Sequence, residues 1–304
     1  MSLKFYNNKL NETPVFLEKY LKVPSLQRLK KVGYFCGMDY ASKKVYNFSE
    51  YISRYDHSLT VAKLVYLLTK DEKATLAGLF HDIATPCFSH VIDYMNKDFS
   101  KQESTEELTK EVIEQDQELL KLLEEDNINV EDVINFKKYS VVDNDRPKIC
   151  ADRLDGIILT AMGWTKNIST EEISLILDSI KLYKNEEDED EIGFTDINVV
   201  KRIIEINKII DIYCHSNEDN YMMSLLGDIT KLGIENNLYT YEDLYHMTED
   251  EIFKILNNCN KKEIINLLNE FYNIKKEDIP EKEIPNIKER KISPLLNGLR
   301  FTYK

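Results

Sequence analysis

The stretch that most constrains this chain is Leu76 to Asp93, LAGLFHDIATPCFSHVID. An apolar run of Leu76, Ala77, Leu79 and Phe80 delivers His81 and Asp82 side by side. Pro86 then breaks the backbone, and a second, aromatic-led run brings in His90 and Asp93. The 304 residues hold only five histidines, and two of them fall here. Neutral imidazole nitrogens and ionised carboxylates are ligands for divalent metals, so adjacent His and Asp at the end of an apolar element point to a metal site. The dipeptide alone is equally at home in a capping pair, so the reading depends on ligands elsewhere in the chain.

Two other segments supply them. Ser53-Arg54-Tyr55-Asp56-His57-Ser58-Leu59 opens a helical pattern with Val61, Leu64, Val65 and Leu68 on one face, and His57 can point back over the end of the helix that carries His81. Ile149-Cys150-Ala151-Asp152-Arg153-Leu154-Asp155 sets an acidic pair inside an apolar helix. A buried carboxylate is costly unless a cation or hydrogen bonds compensate it, so Asp152 needs a partner. His57, His81, Asp82 and Asp152 together make two imidazoles and two carboxylates with positions left for water, the composition of a catalytic rather than a structural metal site. That mixed donor set admits one divalent ion such as Mn, Fe, Ni, Zn or Co, with Mg less suited to imidazole.

Arg54 and Arg153 each adjoin a predicted ligand and carry the guanidinium fork that suits phosphate oxygens; structural pairing with the ligand carboxylates and Asp155 is the alternative. His90, with Asp93 three residues on, is a candidate general acid or base oriented by a carboxylate and a candidate phosphate contact. Its alternative is a helix cap shared with Ser89.

These residues in order resemble the H…HD…D signature of the HD-domain metal-dependent phosphohydrolases. Ser53 to Leu59 is similar to the SRFEHS-type segment of that superfamily's deoxynucleoside triphosphate triphosphohydrolase (dGTPase-like) branch. His81 to His90 is similar to its HDxGHxPFSH segment, and Gln27-Arg28-Leu29 resembles its QRLR segment, so the likeness runs over roughly residues 20–160. The resemblance implies an all-α fold, an HD-domain helical bundle with additional C-terminal helices. It also implies hydrolysis of a phosphate ester of a nucleotide or other small phosphorylated metabolite, and assembly as dimers or higher oligomers.

The chain departs from that branch at several places. Thr85 stands where the branch carries a second histidine, and Gln102-Glu103 where it carries a His-Glu pair implicated in proton transfer. An amide cannot titrate, so within the chain proton transfer falls to His90, Asp93 or Glu103. Gly156 and Thr160 replace a tyrosine and an arginine that contact the triphosphate. These losses leave a second function open: a nucleotide- or phosphate-binding protein that keeps the metal site with little or no turnover. A helical scaffold with an accidental His/Asp set would purify without metal.

Charge narrows the partners. Forty basic against 54 acidic residues give a net charge of −14, a field that repels nucleic acid and anionic lipid. A small phosphorylated ligand remains compatible, because a metal and a local Arg/Lys cluster can reverse the sign inside a pocket. No apolar run is long enough to span a bilayer, and the first residues carry no secretion signal. Five cysteines without paired spacing suit free thiols in a reducing cytoplasm.

Periodicity predicts helices at about 57–70, 73–84 and 88–97, an acidic amphipathic helix from Ser100 to Asp126, and a helix over 148–162. The polar stretch 125–147 reads as a lid or a surface excursion. Asn185 to Glu191, NEEDEDE, is a like-charge block that reads as a solvated loop. It divides the chain into a metal-site core over 1–184, an acidic linker over 185–195, and a C-terminal helical region over 196–304 packed on the core. Helices are expected near 196–216, 219–235, 241–247, 249–257 and 261–272, and Pro294 and Gly298 in the tail suggest a short strand or hairpin.

Overall fold

A computed structural model describes residues 2–97, 108–282 and 288–302. The HD-motif stretch lies in the most buried layer. Ser53 and Asp56 form a reciprocal capping box that starts the helix Arg54–Thr69, and the Asp71 carboxylate caps the next one, Glu72–Phe80. That second helix is buried from Ala74 through Phe80, Thr75 included, so it lies in the interior beyond its first two residues. Gly78 lets the two approach closely: a Cβ there would stand 3.3 Å from Val65 Cγ2. The helix Ala151–Gly163 packs across the first of them and brings Asp152 to the same end.

The expected helices are present with changes that have local causes. The helix predicted over 73–84 stops at Phe80, and the one predicted over 88–97 is Val91–Asn96. Phe88 and Ser89, at φ 66° and 45°, are left-handed and cannot continue a helix. The acidic helix is broken. Its described part consists of Thr109–Gln115 and Gln117–Glu125, parted at Asp116, whose carboxylate accepts from Leu119 N and Ser25 N, both at 3.0 Å. The polar stretch is no featureless excursion, since it folds into a helix Val130–Ile134 and a turn Phe136–Lys138 over buried Val133 and Val142.

The fold is mainly helical, but it is not all-α. Two hairpins make a four-stranded sheet in the order β1 (Ile180–Lys184), β2 (Asp190–Phe194), β3 (Leu295–Leu296), β4 (Leu299–Arg300). The tail hairpin was expected and the first one was not. It replaces the acidic linker loop expected over 185–195. Self-repulsion of the block was the reason to read a loop, and tertiary cations remove it. Lys148 pairs with Glu187 and Glu189, and the Arg300 guanidinium grips fully buried Glu191 at 2.6 and 2.7 Å. Ile176 before the hairpin and Val199 and Ile203 after it share one hydrophobic core with Val61, Leu64 and Ile158. The chain on either side of the acidic block therefore packs into the same interior.

Among the described residues, no helix is long and apolar enough to cross a membrane.

Candidate metal and phosphate site

Three helix ends build the centre. His57 lies in the first turn of Arg54–Thr69, His81 and Asp82 follow the last turn of Glu72–Phe80, and Asp152 lies in the first turn of Ala151–Gly163. His57 Nε2 is 3.0 Å from Asp152 Oδ1, and His81 Nε2 is 3.6 Å from the same oxygen. The Asp82 oxygens complete the ring, Oδ2 at 3.8 Å from His57 Nε2 and Oδ1 at 3.8 Å from His81 Nε2. Ligand atoms of His57, His81 and Asp152 lie within 4.8 Å of one another, close enough for one ion. Three of the four predicted ligands thus meet; Asp82 stands beside both imidazoles but outside that group, and Arg54 Nη1 holds it at 2.8 Å.

The imidazoles are set up to coordinate. His81 Nδ1 lies 2.8 Å from the Gly78 carbonyl oxygen, to which it donates, so its lone pair sits on Nε2. That Nε2 is buried and has no hydrogen-bond partner among the described residues. A nitrogen desolvated in this way is costly, and a cation shared with His57 and Asp152 would satisfy it. His57 Nδ1 lies 2.7 Å from Asp155 Oδ2, and Asp155 Oδ1 accepts from the Tyr6 hydroxyl at 2.6 Å. Ligating imidazoles are commonly oriented by a carboxylate in this way. Asp155 was expected, if anything, to pair with Arg153; it lies one turn beyond Asp152 on the same helix face, a spacing that could have marked it.

Electrostatically the centre attracts positive charge. Burial works against a charged His57, but hydrogen bonds to Asp152 and Asp155 outweigh it and raise the group to about 10. Burial likewise works against a charged Asp82, yet His81, Arg54 and His57 hold that carboxyl well below its usual range. The Asp152 side chain is 37% exposed, so the centre opens into a cavity of about 490 Å³. Tyr34, Phe48 and Trp164 furnish aromatic wall, and Lys137, Arg146 and Arg290 furnish cations.

The two predicted phosphate-binding arginines have structural partners. Arg54 is buried and donates to Asp82 and, through Nε, to Ser89 Oγ at 3.2 Å. Arg153 donates to Asn144 Oδ1 and Asn144 O, both at 2.7 Å, and to the Lys148 carbonyl. Its structural alternative holds, though with the 144–148 loop and not with Asp155. Arg146 is the cation that sequence reading missed. It makes no hydrogen bond among the described residues, and desolvation together with the neighbouring guanidiniums of Arg153 and Arg290 lowers it to about 10. A single arginine in a polar loop gives no signal of that crowding.

His90 is oriented as expected, with Nδ1 2.9 Å from Oδ2 of fully buried Asp93, and it lines the cavity. Gln102 and the candidate Glu103 lie outside the described residues. Thr85 is buried with its carbonyl accepting from Arg28 Nη2 at 2.6 Å. Gly156 and Thr160 line the cavity, and the Tyr34 hydroxyl lies 2.9 Å from where a Cβ at 156 would be. An aromatic hydroxyl from another loop thus occupies the space that a side chain at 156 would need.

Comparison with known proteins bears on the family. The chain is 25% identical over 253 residues to a Bacillus subtilis (strain 168) protein described as "Uncharacterized protein YdhJ", a match covering 83% of this chain and 74% of that one. Residues 54–158, which carry all four candidate ligands, match the HD domain family, and this supports the HD-domain superfamily as the origin of the centre.

Proposed function

We propose that this protein is a metal-dependent phosphohydrolase that cleaves a phosphate ester of a nucleotide or other small phosphorylated metabolite. The observation that carries the reading is the partnerless His81 Nε2 beside His57 Nε2 and Asp152 Oδ1. His57, His81, Asp82 and Asp152 would hold one divalent ion, which when bound polarises a phosphoryl oxygen and acidifies water.

The rest of the chemistry belongs to side chains of the chain. Arg146 is placed to receive phosphate oxygens at the cavity rim, and Arg54 keeps Asp82 turned toward the imidazoles. Asp93 fixes the His90 ring, so His90 Nε2 can take a proton from water or return one to the leaving oxygen. The aromatic wall around Tyr34, Phe48 and Trp164 suits a planar organic group, which favours a nucleotide. A deoxynucleoside triphosphate, the substrate of the branch it resembles, is a candidate weakened by Thr160, which supplies no cation. The site in this reading works in the cytoplasm, without membrane or extended nucleic acid, in a chain that is free to form oligomers.

A screen of nucleotides and phosphomonoesters with Mn, Fe, Ni, Zn and Co tests the proposal. Turnover should be lost in Asp82→Ala with the fold intact; unchanged activity in that variant sinks it. A second reading, binding with little turnover, is favoured by the hold of Arg54 on Asp82. Calorimetric nucleotide binding without phosphate release over long incubation would select it.

A further inference from the structure

The cavity that opens from the metal centre has a second end, and a carboxylate stands there. Asp219 lines the cavity yet is only 9% exposed. It is the third residue of the helix Asn217–Glu235, whose N-cap is Ser216. Three other helices pair an N-cap hydroxyl with an acid at that position: Ser53 with Asp56, Ser169 with Glu172, and Thr248 with Glu251. In each of them the acid accepts from the N–H of the cap residue. At Asp219 only half of the box is made. Ser216 Oγ accepts from Asp219 N at 3.2 Å, but the carboxylate turns inward. Its Oδ1 accepts from the Tyr46 hydroxyl at 2.7 Å, and no donor among the described residues takes Oδ2.

An aromatic wall joins the two ends. The Tyr34 ring lies 5.1 Å from His57 and 5.4 Å from Phe35; Phe35 stacks on Phe48 at 4.3 Å, and Phe48 lies 5.4 Å from Tyr46. All four of these aromatic residues line the cavity. A flat group laid along them, with its phosphate at the metal centre, points its far edge toward Asp219.

A buried carboxylate oxygen without a donor is costly, so the edge that fits is one that donates. An ammonium group is disfavoured, because Lys288 and Arg290 line the same cavity and Arg290 lies within electrostatic reach of Asp219. A neutral N–H meets no such repulsion. We propose that Asp219 is the base-selecting residue of this cavity, its Oδ2 accepting from the ring N–H of a lactam or imide nucleobase, the edge of guanine, uracil and thymine. Adenine and cytosine present a lone pair at that ring position, which an anionic oxygen repels. Burial raises Asp219 to about 6, with the Tyr46 hydrogen bond, Arg290 and His215 opposing the rise and Glu218 adding to it, so the carboxylate is mostly ionised at pH 7. This choice of base rests on the cavity being the phosphate-ester site proposed above.

Trp164, the one tryptophan of the chain, lines the cavity, so its fluorescence reads occupancy without turnover. The full chain is titrated with GMP, UMP, AMP and CMP, in EDTA and again with Mn²⁺. Kd for GMP and UMP should lie about 10–100-fold below Kd for AMP and CMP. Asp219→Asn keeps an acceptor for the Tyr46 hydroxyl but offers the ligand an amide N–H, so the preference should vanish or reverse. Equal affinity for the four nucleotides, or binding of none, overturns the proposal, and so does a preference that Asp219→Asn leaves unchanged. The wild-type ranking decides the class of base even where the variant does not fold. Base preference without phosphate release under any metal would strike hydrolysis and leave Asp219 its role. Turnover with equal kcat/KM for the four bases would strike the selector alone.

Discussion

Two clusters of buried charge sit in this fold, and they end differently. In the sheet, Glu191 is fully buried and both its oxygens are matched by Arg300, with a further Arg300 bond to the Ser293 carbonyl. At the junction of the three helix ends, His57, Asp155 and Tyr6 are matched just as well, but the chain of bonds stops at His81 Nε2 and the exposed edge of Asp152. A charge cluster closed by its own partners fastens the structure. One that is closed on all sides but one awaits something from outside. The difference separates a site from a staple, although both hold fully buried carboxylates, Asp155 in one and Glu191 in the other.

Substitutions can break or sharpen that contrast. The largest effect is expected for Asp152→Ala, which should weaken Mn²⁺ binding by more than about 100-fold in calorimetry, with little change in the Tm of the metal-free chain. Arg300→Ala should do the reverse. Stranding buried Glu191 costs about 3 kcal/mol by denaturant unfolding, with metal affinity unchanged. If Arg300→Ala lowered metal affinity as much as stability, the two clusters would not be independent. Asp155→Asn tests the boundary between them, because it leaves the ligand in place but loosens its orientation; a loss of about 10–100-fold in metal affinity is expected. The smallest effect belongs to Arg146→Ala, which should raise KM about tenfold with kcat little changed if Arg146 binds phosphate. An unchanged KM would leave the cavity's cations without that role.

Much of the centre was legible because its signal is short-range. His81-Asp82 follows an apolar run, and Ser53, Asp56 and His57 sit together in one helix start, so spacing in the sequence is spacing in space. The partners of Arg153 were less legible, for the opposite reason. Its neighbour in sequence is the candidate ligand Asp152, but its guanidinium turns back to Asn144 and Lys148. Arg146 and Tyr34 reach the cavity from loops with no periodicity to betray them. The acidic hairpin failed for want of distant cations: Lys148 and Arg300 lie 41 and 109 residues from the carboxylates Glu189 and Glu191.

By itself the amino-acid order determined the helices of the centre and the candidate ligand side chains they carry, since periodicity and donor chemistry are local properties. Only the tertiary structure decided which buried charges close on one another and which remain open. Hydrogen-bond satisfaction depends on partners brought from anywhere in the chain, and neither Tyr6 beside Asp155 nor Glu249 beside Phe88 is announced by any spacing.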